Sequence, residues 1–204
     1  MTKKIYFCPA GGAEQIGMSC YNIIIEEKGK KFNVMLDCGW QVNDPKSKIV
    51  SLLDMGNFIR DRLIPPQVIL ISHAHADHCA GLLRFIEEFP KVEVYASPPT
   101  VDLMSSNTLE EFIRSYRRGK KKEYLDYKEE RDKEIEKLKN KKIEYIAKIK
   151  LINDEYFHPL SNVGSFRFIP SGHVLGAVAC QIRLNIDEKK DIKIVYTGDI
   201  SIYR

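Results

Sequence analysis

Val68-Ile69-Leu70-Ile71-Ser72-His73-Ala74-His75-Ala76-Asp77-His78 is the most informative stretch of this chain. Pro65-Pro66 ends whatever precedes it, and the apolar run at 68–71 is continuous, as in a strand buried on both faces. The strand delivers its C-terminal end into H-x-H-x-D-H, three of the chain's five histidines and an aspartate within six positions. Imidazoles combined with a carboxylate are the ligand set of a hydrolytic zinc centre, and chance does not readily cluster scarce histidines in this way. Alternate side chains share a face on an extended stretch, so His73 and His75 point the same way and can ligate one ion. Asp77 and His78 follow where the chain turns into a helix, which re-aims them toward a second ion.

That helix is legible in Leu82, Leu83, Phe85, Ile86 and Phe89, an amphipathic spacing stopped by Pro90, and residues 92–95 form the next strand of a βαβ unit. Upstream, the β-rich runs 5–8, 21–26 and 32–36 are separated by a glycine loop and by the hairpin turn Lys28-Gly29-Lys30. Helical spacing over 47–63 predicts a helix, and Thr108-Leu109-Glu110-Glu111 is a capping box that starts another. From 117 to 150 a narrow stripe containing Tyr124, Tyr127, Ile135, Leu138, Tyr145 and Ile149 predicts a helix through Lys150. Residues 166–169, 178–186 and 192–196 close the chain as strands, and His158 reads as a loop histidine with no partner in sequence.

Two of those closing strands lead to further ligand candidates. Ser171-Gly172-His173-Val174-Leu175-Gly176-Ala177 sets a histidine between glycines, where backbone can approach a metal closely, and Thr197-Gly198-Asp199 presents a carboxylate at a matching strand end. Gly11-Gly12 does not satisfy G-x-G-x-x-G and no helix pattern follows it, so a dinucleotide-binding reading falls.

With these elements in place the chain resembles the metallo-β-lactamase fold. More narrowly, Gly11-Gly12 with Glu14, Gly17 and Ser19-Cys20, then Leu36-Asp37-Cys38-Gly39, Gly-His-Val-Leu-Gly-Ala and Thr-Gly-Asp-Ile-Ser resemble the β-CASP nucleases. That subfamily includes the cleavage and polyadenylation endonuclease and the bacterial ribonuclease J group. The resemblance implies an α/β fold, the αββα metallo-β-lactamase sandwich, with His73, His75 and His173 on one zinc, Asp77 and His78 on the other, and Asp199 bridging both. Asp37 would support a ligating imidazole from behind. Two zinc ions would activate a water for attack on a scissile phosphate of RNA, or of DNA, with Asp77 orienting the nucleophile. As a domain, residues 1–204 are expected to form the N-terminal part of the metallo-β-lactamase unit, with 108–150 as a charged helical insertion. The helicase-like cap of the family and the last part of the lactamase fold are absent from the sequence, so the chain alone is expected to catalyse poorly.

Two rival functions use the same residues. A small-molecule hydrolase, such as a glyoxalase-type thioesterase or a lactonase, shares H-x-H-x-D-H, and the two later motifs favour the nuclease over it. A scaffold subunit that has lost its metal is disfavoured by the intact ligand set. Composition agrees with an ordinary globular enzyme, at 44% hydrophobic and 29% charged residues. Five scattered cysteines without a C-x-x-C pair indicate a reducing cytoplasm. The apolar stretch at 5–8 is too short for a signal peptide, and no run of about 18 apolar residues exists to span a membrane.

Net charge is +4, but 117–150 holds 14 Lys/Arg against 8 Asp/Glu. This surplus can attract a polyanion, although a solvated helix has the same composition. If it binds RNA, charge reversal of Lys120, Lys121 and Lys122 in the complete protein weakens that binding. The log–log salt slope then flattens by about 0.7 for each single-strand phosphate that is no longer neutralised, measured by titration across a salt series; an unchanged slope assigns the segment to solvent.

Overall fold

The computed structural model describes residues 3–13, 17–39, 65–105, 140, 143–187 and 190–201. The helix expected over 47–63, the capping box at Thr108, and residues 117–139 and 141–142 of the helix expected through Lys150 lie outside the described residues. The strands are β1 (Lys4–Gly11), β2 (Cys20–Glu27), β3 (Lys30–Leu36), β4 (Val68–Leu70), β5 (Glu93–Ala96), β6 (Lys150–Leu151), β7 (His158–Leu160), β8 (Gly164–Pro170), β9 (Val178–Asp187) and β10 (Lys190–Tyr196). They form two sheets, ordered β1-β2-β3-β4-β5-β6 and β10-β9-β8-β7.

The first sheet opens with antiparallel pairs from β1 to β3 and continues in parallel through β4 and β5 to β6. Lys28 and Gly29 both have positive φ, as a tight hairpin turn between β2 and β3 requires. The central strands read as unbroken apolar runs because both of their faces are covered. Val34, Leu36, Val68 and Leu70 point into one core cluster, while Met35, Ile69 and Ile71 point into the other. The first cluster fills the space between the sheets, where these residues meet Phe166, Phe168, Cys180, Ile182 and Leu184 of the antiparallel second sheet. The second is roofed by three short helices, α1 (Ala76–Cys79), α2 (Leu82–Glu88) and α3 (Pro98–Leu103), through Cys79, Leu82, Phe85, Ile86 and Val101. Pro98-Pro99 open α3, where a helix has no use for the missing N–H groups. The result is an α/β sandwich of mixed sheets and short helices.

Because β3, β4 and β5 run the same way, their C-terminal ends share one edge of the sheet, the edge at which open α/β sheets bind ligands. Asp37, Ser72 and Ser97 each follow one of those ends within two residues.

Two local expectations need correction. Lys150 is not helical: among the described residues 143–146 are helical, and Lys150 and Leu151 pair in parallel with Tyr95 and Ala96 as β6. Ile149 and Ile152 enter opposite cores, and the pairing with β5 outweighs the helical stripe. Tyr145 of that stripe does pack onto the core. His158 is not a partnerless loop histidine, because it begins β7 and its Nε2 lies 2.9 Å from Asp154 Oδ1. The partner is four residues upstream on a turn that carries no periodic signal.

Phe166 is fully buried at the centre of the sandwich, its ring 5.0 Å from that of Tyr95 and 5.6 Å from that of Phe168. Phe166→Ala is expected to lower stability by about 3–5 kcal/mol, read as a drop in urea midpoint at constant m-value.

Candidate metal centre

The site is built from strand ends. His73 follows β4, His75 is the N-cap of α1, His173 lies in the loop between β8 and β9, and Asp199 follows β10. His73 Nε2 is 3.1 Å from His75 Nδ1, which is 3.2 Å from His173 Nε2. Asp199 Oδ2 lies 3.4 Å from His173 Nε2 and 3.9 Å from His73 Nε2. One ligand atom from each of the four residues lies within 4.8 Å of all the others. Ligands on a tetrahedral zinc at 2.0–2.1 Å stand about 3.4 Å apart, so these three imidazoles and the carboxylate are close enough together to share one ion. Residues 98 positions apart in sequence meet there because both sheets end at this edge.

His78 stands beside this cluster. Its Nε2 is 3.4 Å from Asp199 Oδ1 and 3.8 Å from Asp77 Oδ2. The two oxygens of Asp199 therefore face two different groups of ligands, the three-histidine point through Oδ2 and the His78–Asp77 side through Oδ1.

Behind the ligand candidates sits Asp37, fully buried, with φ +59. Aspartate tolerates this left-handed conformation better than most residues, and here it turns the carboxylate inward at the end of β3. Four donors converge on it: Ser72 N at 2.7 Å, Ser72 Oγ at 2.7 Å, His78 Nδ1 at 2.6 Å and Tyr196 Oη at 2.6 Å. Three of them reach Oδ2 and one reaches Oδ1, so both oxygens of the carboxylate are paired. Burial and the Asp37 charge push the Tyr196 phenol far above its ordinary value, which keeps it a donor.

This network sets the tautomers. His78 gives its Nδ1 proton to Asp37, which leaves Nε2 as the ring nitrogen that faces Asp77 and Asp199. Ser72 Oγ commits its only proton to Asp37 and so accepts from His73 Nδ1 at 3.0 Å, which frees His73 Nε2 for the cluster. Burial, reinforced by neighbouring His78, lowers His73 to about 4, so its ring is neutral at physiological pH, as ligation requires. For His78, burial pulls the same way but is outweighed by the hydrogen bond and charge of Asp37, and its pKa is raised.

Glycines let the pieces close up. A Cβ on Gly39 would run into the carbonyl oxygen of Asp77, and one on Gly198 would stand 2.7 Å from Ser72 Oγ. The backbone of 37–39 also grips α1 and the N-cap of α2, through Cys38 N to His78 O at 2.8 Å and Gly81 N to Cys38 O at 2.9 Å. Sequence reasoning nominated seven residues, and all of them meet here: His73, His75, Asp77, His78, His173, Asp199 and Asp37. It missed Ser72 and Tyr196. The first had a signal, a hydroxyl between strand and motif; the second was hidden as the last residue of a strand.

The metallo-beta-lactamase superfamily matches residues 17–141, and the chain belongs to it. Its relatives are of the β-CASP type. Cleavage and polyadenylation specificity factor subunit 3 of Dictyostelium discoideum is 31% identical over 195 residues, covering 95% of this chain and 22% of that protein. The RNase J-like protein of Methanocaldococcus jannaschii is 31% identical over 191 residues, covering 94% and 35%. Endoribonuclease YSH1 of Saccharomyces cerevisiae is 28% identical over 203 residues, covering 98% and 23%. The chain thus spans between 22% and 35% of the length of these relatives.

If Asp37 orients the imidazoles, Asp37→Asn lowers zinc affinity by about 10- to 100-fold, measured by competition against a chromophoric chelator. Tyr196→Phe keeps the carboxylate's charge and removes one donor, and is expected to cost less than Asp37→Asn in the same titration.

Proposed function

We propose that this chain carries the zinc centre of a β-CASP-type nuclease that hydrolyses phosphodiester bonds in RNA. The observation that carries the reading is the two-sided carboxylate of Asp199, shared between the His73–His75–His173 cluster and the His78–Asp77 side. His73, His75, His173 and Asp199 would hold one zinc, and Asp77 and His78, with the other oxygen of Asp199, a second. Bound zinc supplies Lewis acidity and brings the pKa of a water down toward about 7.

The chain's own residues do the rest. Asp77, part-exposed at the first helical turn after the strand, accepts a hydrogen from the attacking water and aims it at phosphorus. Asp37 and Ser72 keep the His78 and His73 rings from rotating, so the ligand atoms stay directed at the cluster. Asp199, with its side chain 45% exposed, leaves the cluster accessible to an extended polyanion, and the three relatives named above bear RNA-processing names. Residues 1–204 are then the first part of the metallo-β-lactamase unit, with a charged segment that begins at 108 and ends before Ile149 and β6 inserted into it. Among the described residues no helix is long and apolar enough to cross a membrane.

The test is cleavage of end-labelled single-stranded RNA by the zinc-loaded protein, alongside hydrolysis of a lactone and a glutathione thioester. Zinc-dependent RNA cleavage that falls by about 100-fold or more in Asp77→Ala is the expected result. Turnover of the lactone or thioester without RNA cleavage would falsify the nuclease reading and leave a small-molecule hydrolase.

A further inference from the structure

His173 is the ligand candidate with the least local support. It sits in an excursion from 171 to 177 that is closed at its base by Ser171 N to Ala177 O at 3.0 Å and tied to the first sheet by Val178 N to Ser72 O at 2.9 Å. Packing does not position the tip: Leu175 is 71% exposed, and His173 and Val174 are only part-buried. Gly172 and Gly176 both have positive φ, so the loop's path is one that few other residues would enforce.

Polar contacts from the other sheet hold it instead. The carbonyl of Gly176 accepts from Ser97 Oγ at 2.6 Å and from Thr100 Oγ1 at 3.0 Å. A carbonyl oxygen has two lone pairs, and both are taken. Ser97 is the N-cap of α3 and its Oγ also accepts from Thr100 N at 3.3 Å, while the two hydroxyl oxygens lie 2.9 Å apart. Ser97 is 6% exposed and Thr100 not at all, so little water competes for these bonds. The fit is tight: a Cβ on Gly176 would meet Thr100 N at 2.7 Å and both Pro99 Cβ and Ser97 Oγ at 2.9 Å.

We propose that Ser97 and Thr100 are positioning residues for the metal centre, clamping the Gly176 carbonyl so that His173 Nε2 stays within ligand distance of His75 and Asp199. The proposal rests on His173 being a metal ligand, as read above. It gives α3 a role beyond roofing the core: its first turn is the stop against which the His173 loop is seated.

The experiment measures zinc dissociation constants of the 204-residue chain by competition with a chromophoric chelator, and urea midpoints in EDTA. Thr100→Val preserves shape and removes the hydroxyl; Ser97→Ala removes the other donor; Thr100→Ser restores one. The expected result is about a 10-fold loss of affinity for each single removal and near-native affinity for Thr100→Ser. In a His173→Ala background the same substitutions should leave the residual affinity unchanged, because the clamp acts only through His173. Equal losses in both backgrounds, or unaltered affinity in the native one, overturn the clamp and leave Ser97 and Thr100 as helix-capping residues. Should Thr100→Val fail to fold in EDTA, Ser97→Ala carries the same comparison. A His173→Ala chain that binds zinc as tightly as the native chain refutes the ligand assignment itself, an outcome distinct from failure of the clamp.

Discussion

A fully buried carboxylate ties this fold together at the end that carries its chemistry. Removing Asp37 from water costs several kcal/mol unless its oxygens are paired, and the four hydrogen bonds it receives come from three different parts of the fold. Ser72 belongs to the end of β4, His78 to α1 and Tyr196 to β10 of the opposite sheet. One side chain thus fastens the two layers of the sandwich together at the edge where the ligand candidates emerge. It also fixes which nitrogen of His78 carries a proton, and through Ser72 the same for His73. Structure and chemistry are joined at this point, because any shift of the sheets that loosened the carboxylate would also rotate the imidazoles.

Strand direction explains why that edge holds so many polar residues. Parallel β3, β4 and β5 end together, and each is followed by a residue whose side chain reaches across to the second sheet or its loops. Asp37 reaches Tyr196, Ser72 reaches both Asp37 and the close backbone of Gly198, and Ser97 reaches Gly176. Burial on both faces makes the strands rigid, and rigid strands can hold ligand atoms to the few tenths of an ångström that a metal demands.

The placement of charge follows from the same layout. His73, packed inside, is kept neutral by burial, whereas Asp199, with its side chain 45% exposed, faces solvent. Neutral donors inside and an accessible carboxylate outside give the cluster a direction, from the core toward solvent.

How much of this was legible beforehand depended on the range of the interaction. H-x-H-x-D-H, the apolar run before it and the glycine-flanked His173 are local patterns, and local geometry dictated that His73 and His75 share a face and that strands precede each ligand. Asp37 was legible only through resemblance, since alone it reads as a turn residue. Pairings between distant segments were out of reach. Ser72 and Asp37 are 35 positions apart, Ser97 and Gly176 are 79, and Tyr196 and Asp37 are 159. Such pairings are set by the register and packing of two sheets, and no periodicity along the chain encodes them. The two- and three-residue strands β6 and β7 show the same limit, because strands so short exist only where a neighbour supplies their hydrogen bonds. Local pattern therefore nominated the residues that could bind a metal and set them at strand ends. Which of their atoms face one another was settled by packing, where β3, β4, β8 and β10 are brought to one edge around a carboxylate that cannot be left unpaired.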